Sequence, residues 1–150
     1  MKEAEFSYAC FDRLENKVLY AILRLRSEVF VVEQNCVFLD IDDKDQQSHH
    51  LTGWVNEKLA AYARIVPAGV AYDYNSIGRV VTSPSFRGTG LGRELLEKSI
   101  QYCYALHGVS PIKIGGQLYL QQFYESFGFK QTSEVYLEDG IAHIEMMLYP

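Results

Sequence analysis

The chain has 150 residues, the length of one ordinary domain, and folding at that size hides roughly 68–70% of the unfolded surface, enough for a core without metal or disulfide staples. Hydrophobic residues at 48% and charged residues at 22% exclude a disordered chain, and no run approaches the ~18 consecutive apolar residues of a membrane helix. The net charge of −5, from 14 basic and 19 acidic residues, argues against a nucleic-acid binder, whose affinity rests on a basic footprint.

In chain order, the start Met1-Lys2-Glu3-Ala4-Glu5-Phe6 carries no apolar signal core, so secretion is not expected. Asp12 followed by Glu15 reads as a helix start, an acidic cap with Glu three residues on. Leu19, Ile22, Leu23, Arg26 and Phe30 follow at helical spacing and predict one long helix over about 13–32. Residues 35–50 are acidic and irregular. Strands are predicted over 51–56 and 60–66, joined at Glu57-Lys58, and a β-branched strand over 76–82 ends before Pro84. A second helix follows the glycine-rich stretch, with Leu91, Leu95, Leu96, Ile100 and Cys103 on one stripe. A short strand over 111–115 leads to a third helix marked by Leu120, Phe123, Tyr124 and Phe127 and closed by Gly128. The end reads as a hairpin, 131–137 and 142–148, around Asp139-Gly140. In its last strand Ala142, Ile144, Met146 and Leu148 form a core face opposite His143 and Glu145. This order predicts a mixed sheet covered by helices, one domain over 1–150. Cys10, Cys36 and Cys103 are odd in number and contain no CxxC, so neither a disulfide framework nor a zinc site is expected, and a reducing cytoplasm fits.

The chemistry concentrates in Arg87-Gly88-Thr89-Gly90-Leu91-Gly92, between a strand and a helix. Glycines let backbone N–H groups approach a ligand, and the helix N-terminus adds partial positive charge, so the loop suits a phosphate or pyrophosphate. Arg87 and Arg93 bracket it with fixed charge. A Walker A string is absent, and a dinucleotide fingerprint would need Gly or Ala where Arg93 stands, so both common nucleotide readings fail on spacing. A glycine-rich turn that merely starts a helix remains the plain alternative. The acidic run Asp40 to Asp45 fails the calcium-loop pattern, with Asp45 and Leu51 where Gly and Glu are required, so no metal is assigned. A solvated loop, or a wall of the acceptor cleft attracting a cationic amine, are its two readings.

The stretch from Val80 to Gly92 resembles motif A of the GCN5-related N-acetyltransferases, with Arg87, Gly90 and Gly92 filling the [QR]xxGx[GA] pattern. Gln117 through Phe129, containing Phe123-Tyr124-Glu125-Ser126-Phe127-Gly128-Phe129, resembles motif B at the expected distance. Leu25 to Cys36, His49-His50-Leu51, Ala61-Tyr62-Ala63-Arg64, Ile77 to Val80 and Glu138 to His143 are similar to the ElaA-type branch. The resemblance implies an α/β (α+β) acetyltransferase fold, a mixed, mostly antiparallel, splayed sheet with helices on both faces, and acetyl-CoA as donor. It maps the pyrophosphate grip onto Arg87, Gly88, Thr89, Gly90, Leu91 and Gly92, and the pantetheine and thioester contacts onto Val80, Val81 and Thr82. Gln117 stands where relatives often carry Asn.

Transfer to an amine needs a neutral amine, a polarised thioester, a stabilised oxyanion and a proton for the leaving thiolate. Tyr124 is the candidate acid for that last step; on periodicity alone it is also a packing residue of an aromatic stripe. Glu33, after the apolar run Val29 to Val32, is the candidate base, expected to have a raised pKa from apolar surroundings. His143 and His50 are its rivals. The reading is therefore an acetyl-CoA-dependent N-acetyltransferase with an amine acceptor, small molecule or protein, acting as monomer or homodimer. The alternatives are a non-catalytic acyl-CoA-binding module and an unrelated phosphate binder.

Overall fold

The computed structural model describes residues 3–150; Met1 and Lys2, on which the missing signal core partly rests, lie outside the described residues. Strands β1 (Glu5–Cys10), β2 (His49–Val55), β3 (Lys58–Val66) and β4 (Asn75–Thr82) form an antiparallel meander. Helix α1 (Asn16–Arg26) continues as a π-helix over Ser27–Glu33, and α2 (Leu91–His107) connects β4 to β5 (Ile112–Gln117). Then follow α3 (Gln121–Glu125), β6 (Lys130–Gln131), β7 (Tyr136–Glu138) and β8 (Ile141–Leu148). The sheet order is β1-β2-β3-β4-β5-β8-β6, with β7 also pairing β8. Ile22, Leu25 and Val29 pack with Tyr62 and Val81 on one face, whereas Leu95, Leu96, Cys103, Tyr124 and Phe129 pack with Ala61, Ala63, Ile114 and Ile144 on the other. Among the described residues no helix is long and apolar enough to cross a membrane.

One junction positions the site. β4 and β5 are parallel but pair only at Asn75–Ile112 and Ser76–Lys113. Beyond that no pair joins the two strands, so their C-terminal ends part from each other. The divergence has a local cause. Between Tyr62 and Arg64 of β3, β4 carries one extra residue, and Arg79 there takes φ +49°. Such a bulge bends its strand and re-aims a side chain. It turns the Arg79 guanidinium toward Asp40 at 2.9 Å.

Four sequence expectations need correction. Strand β1 was not anticipated, because Glu5–Cys10 is largely unburied at the sheet edge and shows little alternation. The first helix begins at Asn16, since Phe11–Arg13 is a separate 3₁₀ turn followed by extended Leu14, and no side chain caps α1. The strand expected over 131–137 is two short pieces, because the Ser133 hydroxyl accepts the Glu145 N–H at 2.8 Å in place of a main-chain partner. The Asp40–Asp45 run is not simply a solvated loop: it exposes Ile41 and Asp43, while its other three carboxylates are paired. Asp40, Asp42 and Asp45 are neutralised by Arg26, Arg64 and Arg79 at 2.7–3.4 Å, and Arg26 is fully buried.

Candidate active site

The glycine loop is built by backbone conformation. Gly88 and Gly90 take φ of +79° and +80°, the left-handed region that L side chains avoid. A Cβ at either would meet nothing within 4 Å, so it is conformation and not crowding that calls for glycine. Gly90 is also the N-cap of α2, no side chain caps that helix, and the first intrahelical bond runs from Glu94 N–H to Gly90 O at 3.2 Å. The N–H groups of Leu91, Gly92 and Arg93 therefore stand ahead of the first intrahelical bond, at the positive end of a 17-residue helix. Leu91 contributes its main chain only, because its side chain is buried in the core. The Thr89 hydroxyl donates to Phe86 O at 2.9 Å and braces the turn. Arg93 donates to Ser126 Oγ at 3.1 Å and lies 4.4 Å from the Phe127 ring centre, tying the start of α2 to the end of α3.

The walls of the resulting gap follow from the two divergent strands. On β4, Val80 and Thr82 are half-buried, whereas the Val81 side chain is committed to the core under α1. On β5, Gly116 leaves room for Tyr124: a Cβ there would come within 3.0 Å of the tyrosine ring. Tyr124 is buried, in edge contact with Phe123 and Phe129, and no hydrogen bond to a described residue fixes its hydroxyl. Burial first, then neighbouring Tyr119, pushes the phenol up to about 12. Tyr124 thus keeps its proton throughout the neutral range.

Gln117, at the end of β5, exchanges two amide hydrogen bonds with Gln34, at 3.3 and 3.5 Å. Its neighbour Glu33 forms a forked ion pair with Arg87, Nη2–Oε1 at 2.7 Å and Nη1–Oε2 at 2.9 Å. Sequence reasoning missed both contacts, which join positions 54 and 83 residues apart. The expectation of a raised Glu33 pKa is corrected: the hydrogen bond from Arg87 holds this exposed carboxyl below its ordinary range. The reason for choosing Glu33 as base is thereby removed.

The two histidines differ in their free nitrogens. His50 is buried beside the ion network, with Nδ1 at 2.6 Å from the Tyr62 hydroxyl and Nε2 donating to Asp45 O at 2.9 Å. Both nitrogens are occupied, and burial lowers its pKa, so His50 is structural. His143 sits opposite Gln117 in the β5–β8 register. Its Nδ1 donates to Ile141 O at 2.7 Å, which leaves Nε2 as the nitrogen with the lone pair in the neutral ring, 3.4 Å from Glu138 Oε2. No cluster of three metal-ligating side chains occurs among the described residues.

A β4–β5 pair that separates after two residue pairs, a left-handed glycine loop opening a helix and a tyrosine against β5 come together at the ends of two parallel strands, an arrangement suited to an anionic ligand. The chain belongs to the GNAT acetyltransferase family: the family model for an acetyltransferase (GNAT) domain matches residues 26–150. It is similar to protein ElaA of Escherichia coli strain K12, 46% identical over 130 residues that cover 85% of each chain. The crystal structure of Escherichia coli ElaA superposes with a TM-score of 0.90 at 41% identity, over 97% of this chain and 99% of that one. A solved acyl-CoA N-acyltransferase from Pseudomonas aeruginosa superposes with a TM-score of 0.92 at 39% identity, over 97% and 99% of the two chains.

Proposed function

We propose that this protein moves the acetyl group of acetyl-CoA to a primary amine by direct attack on the thioester. The observation that carries the reading is the cleft between β4 and β5 with the uncapped N-terminus of α2 at its mouth. In this reading the pyrophosphate lies on the amides from Arg87 to Gly92. The pantetheine arm follows Val80, the Val81 main chain and Thr82, and its amide meets Gln117. The amine nitrogen attacks the carbonyl carbon, the C–N bond forms and the C–S bond breaks. The leaving sulfur takes the Tyr124 proton, one of the amine's two surplus protons restores the Tyr124 phenol, and the other passes through a base to water. Tyr124 always carries that proton at neutral pH, and its buried ring is held in one place.

For the base, the geometry favours His143 over Glu33. Glu33 is exposed and already paired with Arg87, whereas His143 is buried, has one tautomer fixed by Ile141 O and stands opposite Gln117 in the β5–β8 register. Glu138 is placed to hold the Nε2–H once the proton arrives. Three free cysteines suit a reducing compartment, which supports a cytoplasmic site of action. The deciding experiment is an acceptor screen, across amino acids, polyamines, aminoglycosides and peptide amines, that follows free CoA thiol. Amine-dependent release that Tyr124→Phe abolishes supports the transferase. Tight CoA binding with no release for any amine favours the non-catalytic acyl-CoA-binding module instead.

A further inference from the structure

Two consecutive residues of a strap, Glu33 closing the π-helix and Gln34 just after it, each occupy a side chain beside the proposed donor path, the Arg87 guanidinium and the Gln117 amide. The Glu33 carboxylate presents two oxygens to the Arg87 fork at 2.7 and 2.9 Å, the arrangement that a phosphate makes with a guanidinium. The Gln34 carboxamide makes a donor–acceptor pair with Gln117, as a pantetheine amide would. The strap is an irregular piece of backbone. Its last turns carry i to i−5 bonds, Gln34 N–H to Val29 O and Cys36 N–H to Val31 O, and Asn35 takes φ +49°. Helical segments of this kind concentrate at functional positions.

We propose that Glu33 and Gln34 are internal stand-ins for the donor, the carboxylate holding the place of a CoA phosphate on Arg87 and the carboxamide that of a pantetheine amide on Gln117. The proposal rests on the reading of the β4–β5 cleft as the CoA site. Donor binding then exchanges both contacts and releases the strap from the loop and from β5. Donor affinity is lower than the empty cleft would give, because each stand-in must be displaced.

Calorimetry on the full chain tests this with CoA, 3′-dephospho-CoA and pantetheine. Both partners of the Glu33–Arg87 pair are 42% exposed, so Glu33→Gln should tighten CoA binding by about two- to fivefold, less at high salt. The gain should vanish with pantetheine, which has no phosphate, and in an Arg87→Gln background. Survival of the gain with 3′-dephospho-CoA assigns the pyrophosphate to Arg87; its loss assigns the 3′-phosphate. Either result supports the stand-in. Glu28→Gln removes a second carboxylate within the field of Arg87 and should leave the affinity nearly unchanged. Gln34→Ala should tighten CoA and pantetheine alike. A Glu33→Gln protein that binds CoA no better than wild type, or gains as much as Glu28→Gln or in the Arg87→Gln background, overturns the Glu33 assignment. Unimproved pantetheine binding by Gln34→Ala overturns that of Gln34. Folded proteins that bind no CoA at all overturn the cleft reading itself, a result distinct from wild-type binding that the variants fail to improve.

Discussion

Replacing Asp45 by Asn changes one charge in a closed network and little else. The Asp45 Oδ1 accepts Arg26 Nη1 at 2.8 Å and Arg64 Nη1 at 2.9 Å, and an asparagine oxygen placed there keeps both hydrogen bonds. What is lost is balance. Arg26, Arg64 and Arg79 face Asp40, Asp42 and Asp45, and with Asn the cluster carries one uncompensated positive charge beside a wholly buried Arg26. Removing one partner of a buried pair costs about 3–5 kcal/mol. The retained hydrogen bonds place Asp45→Asn at the lower end, about 3 kcal/mol. For a chain of this size that is a fall in melting temperature of roughly 6–12 °C. Urea unfolding at pH 7 measures the free energy directly. Arg64→Gln in the same chain restores neutrality, so the double variant should lose clearly less than the two single losses together. A loss below about 1 kcal/mol for Asp45→Asn, the range of an exposed pair, would refute the buried-network argument.

Three further outcomes are expected. Tyr124→Phe should keep the fold and CoA affinity but lower turnover by ~10²–10⁴, measured by thiol release with any acceptor the screen finds; turnover within about threefold, with chemistry rate-limiting, would make Tyr124 a packing residue. Gly90→Val puts a β-branched residue at φ +80°, at a cost of about 1–2 kcal/mol in stability, and its side chain should weaken CoA binding at least tenfold by calorimetry; unchanged affinity in the folded variant would remove the loop from the donor site. Stability should be flat between about pH 7 and 8 and fall in two stages on acidification. His50 and His107 have lowered pKa values, chiefly through burial, so the unfolded chain takes up protons first and stability declines below about pH 6.5. Asp42 and Asp45 are pushed up by burial, but the hydrogen bonds and charges of Arg64 and Arg26 outweigh this and hold them low. Their contribution is complete above the unfolded value near ~4 and is lost as pH falls through the folded values, which urea unfolding across pH 2–8 would trace.

The sequence by itself determined most of the local elements and the glycine loop. Periodicity marks α2, with Leu91, Leu95, Leu96 and Cys103 buried on one stripe. Asp139-Gly140 turns the last hairpin with both residues at positive φ. Gly88 and Gly90 sit where a left-handed backbone meets a helix start, and this is legible because a glycine's conformational freedom is local. Arg26 on an otherwise apolar stripe, followed by Asp40 and Asp45, was a readable sign of buried pairing, since a charge on a core face needs a partner. The tertiary structure alone decided which partners met. Glu33 next to an apolar run suggested burial, yet the end of the π-helix leaves it exposed on Arg87. Gln34 and Gln117 gave no sequence signal of contact. The spread of β4 from β5 follows from one extra residue opposite Tyr62 and Arg64, and that register arises only when two strands pair. Backbone conformation and apolar spacing are set by neighbours in the chain. Charge pairing and strand register depend on contacts between different elements of the fold, and they are fixed only when it closes.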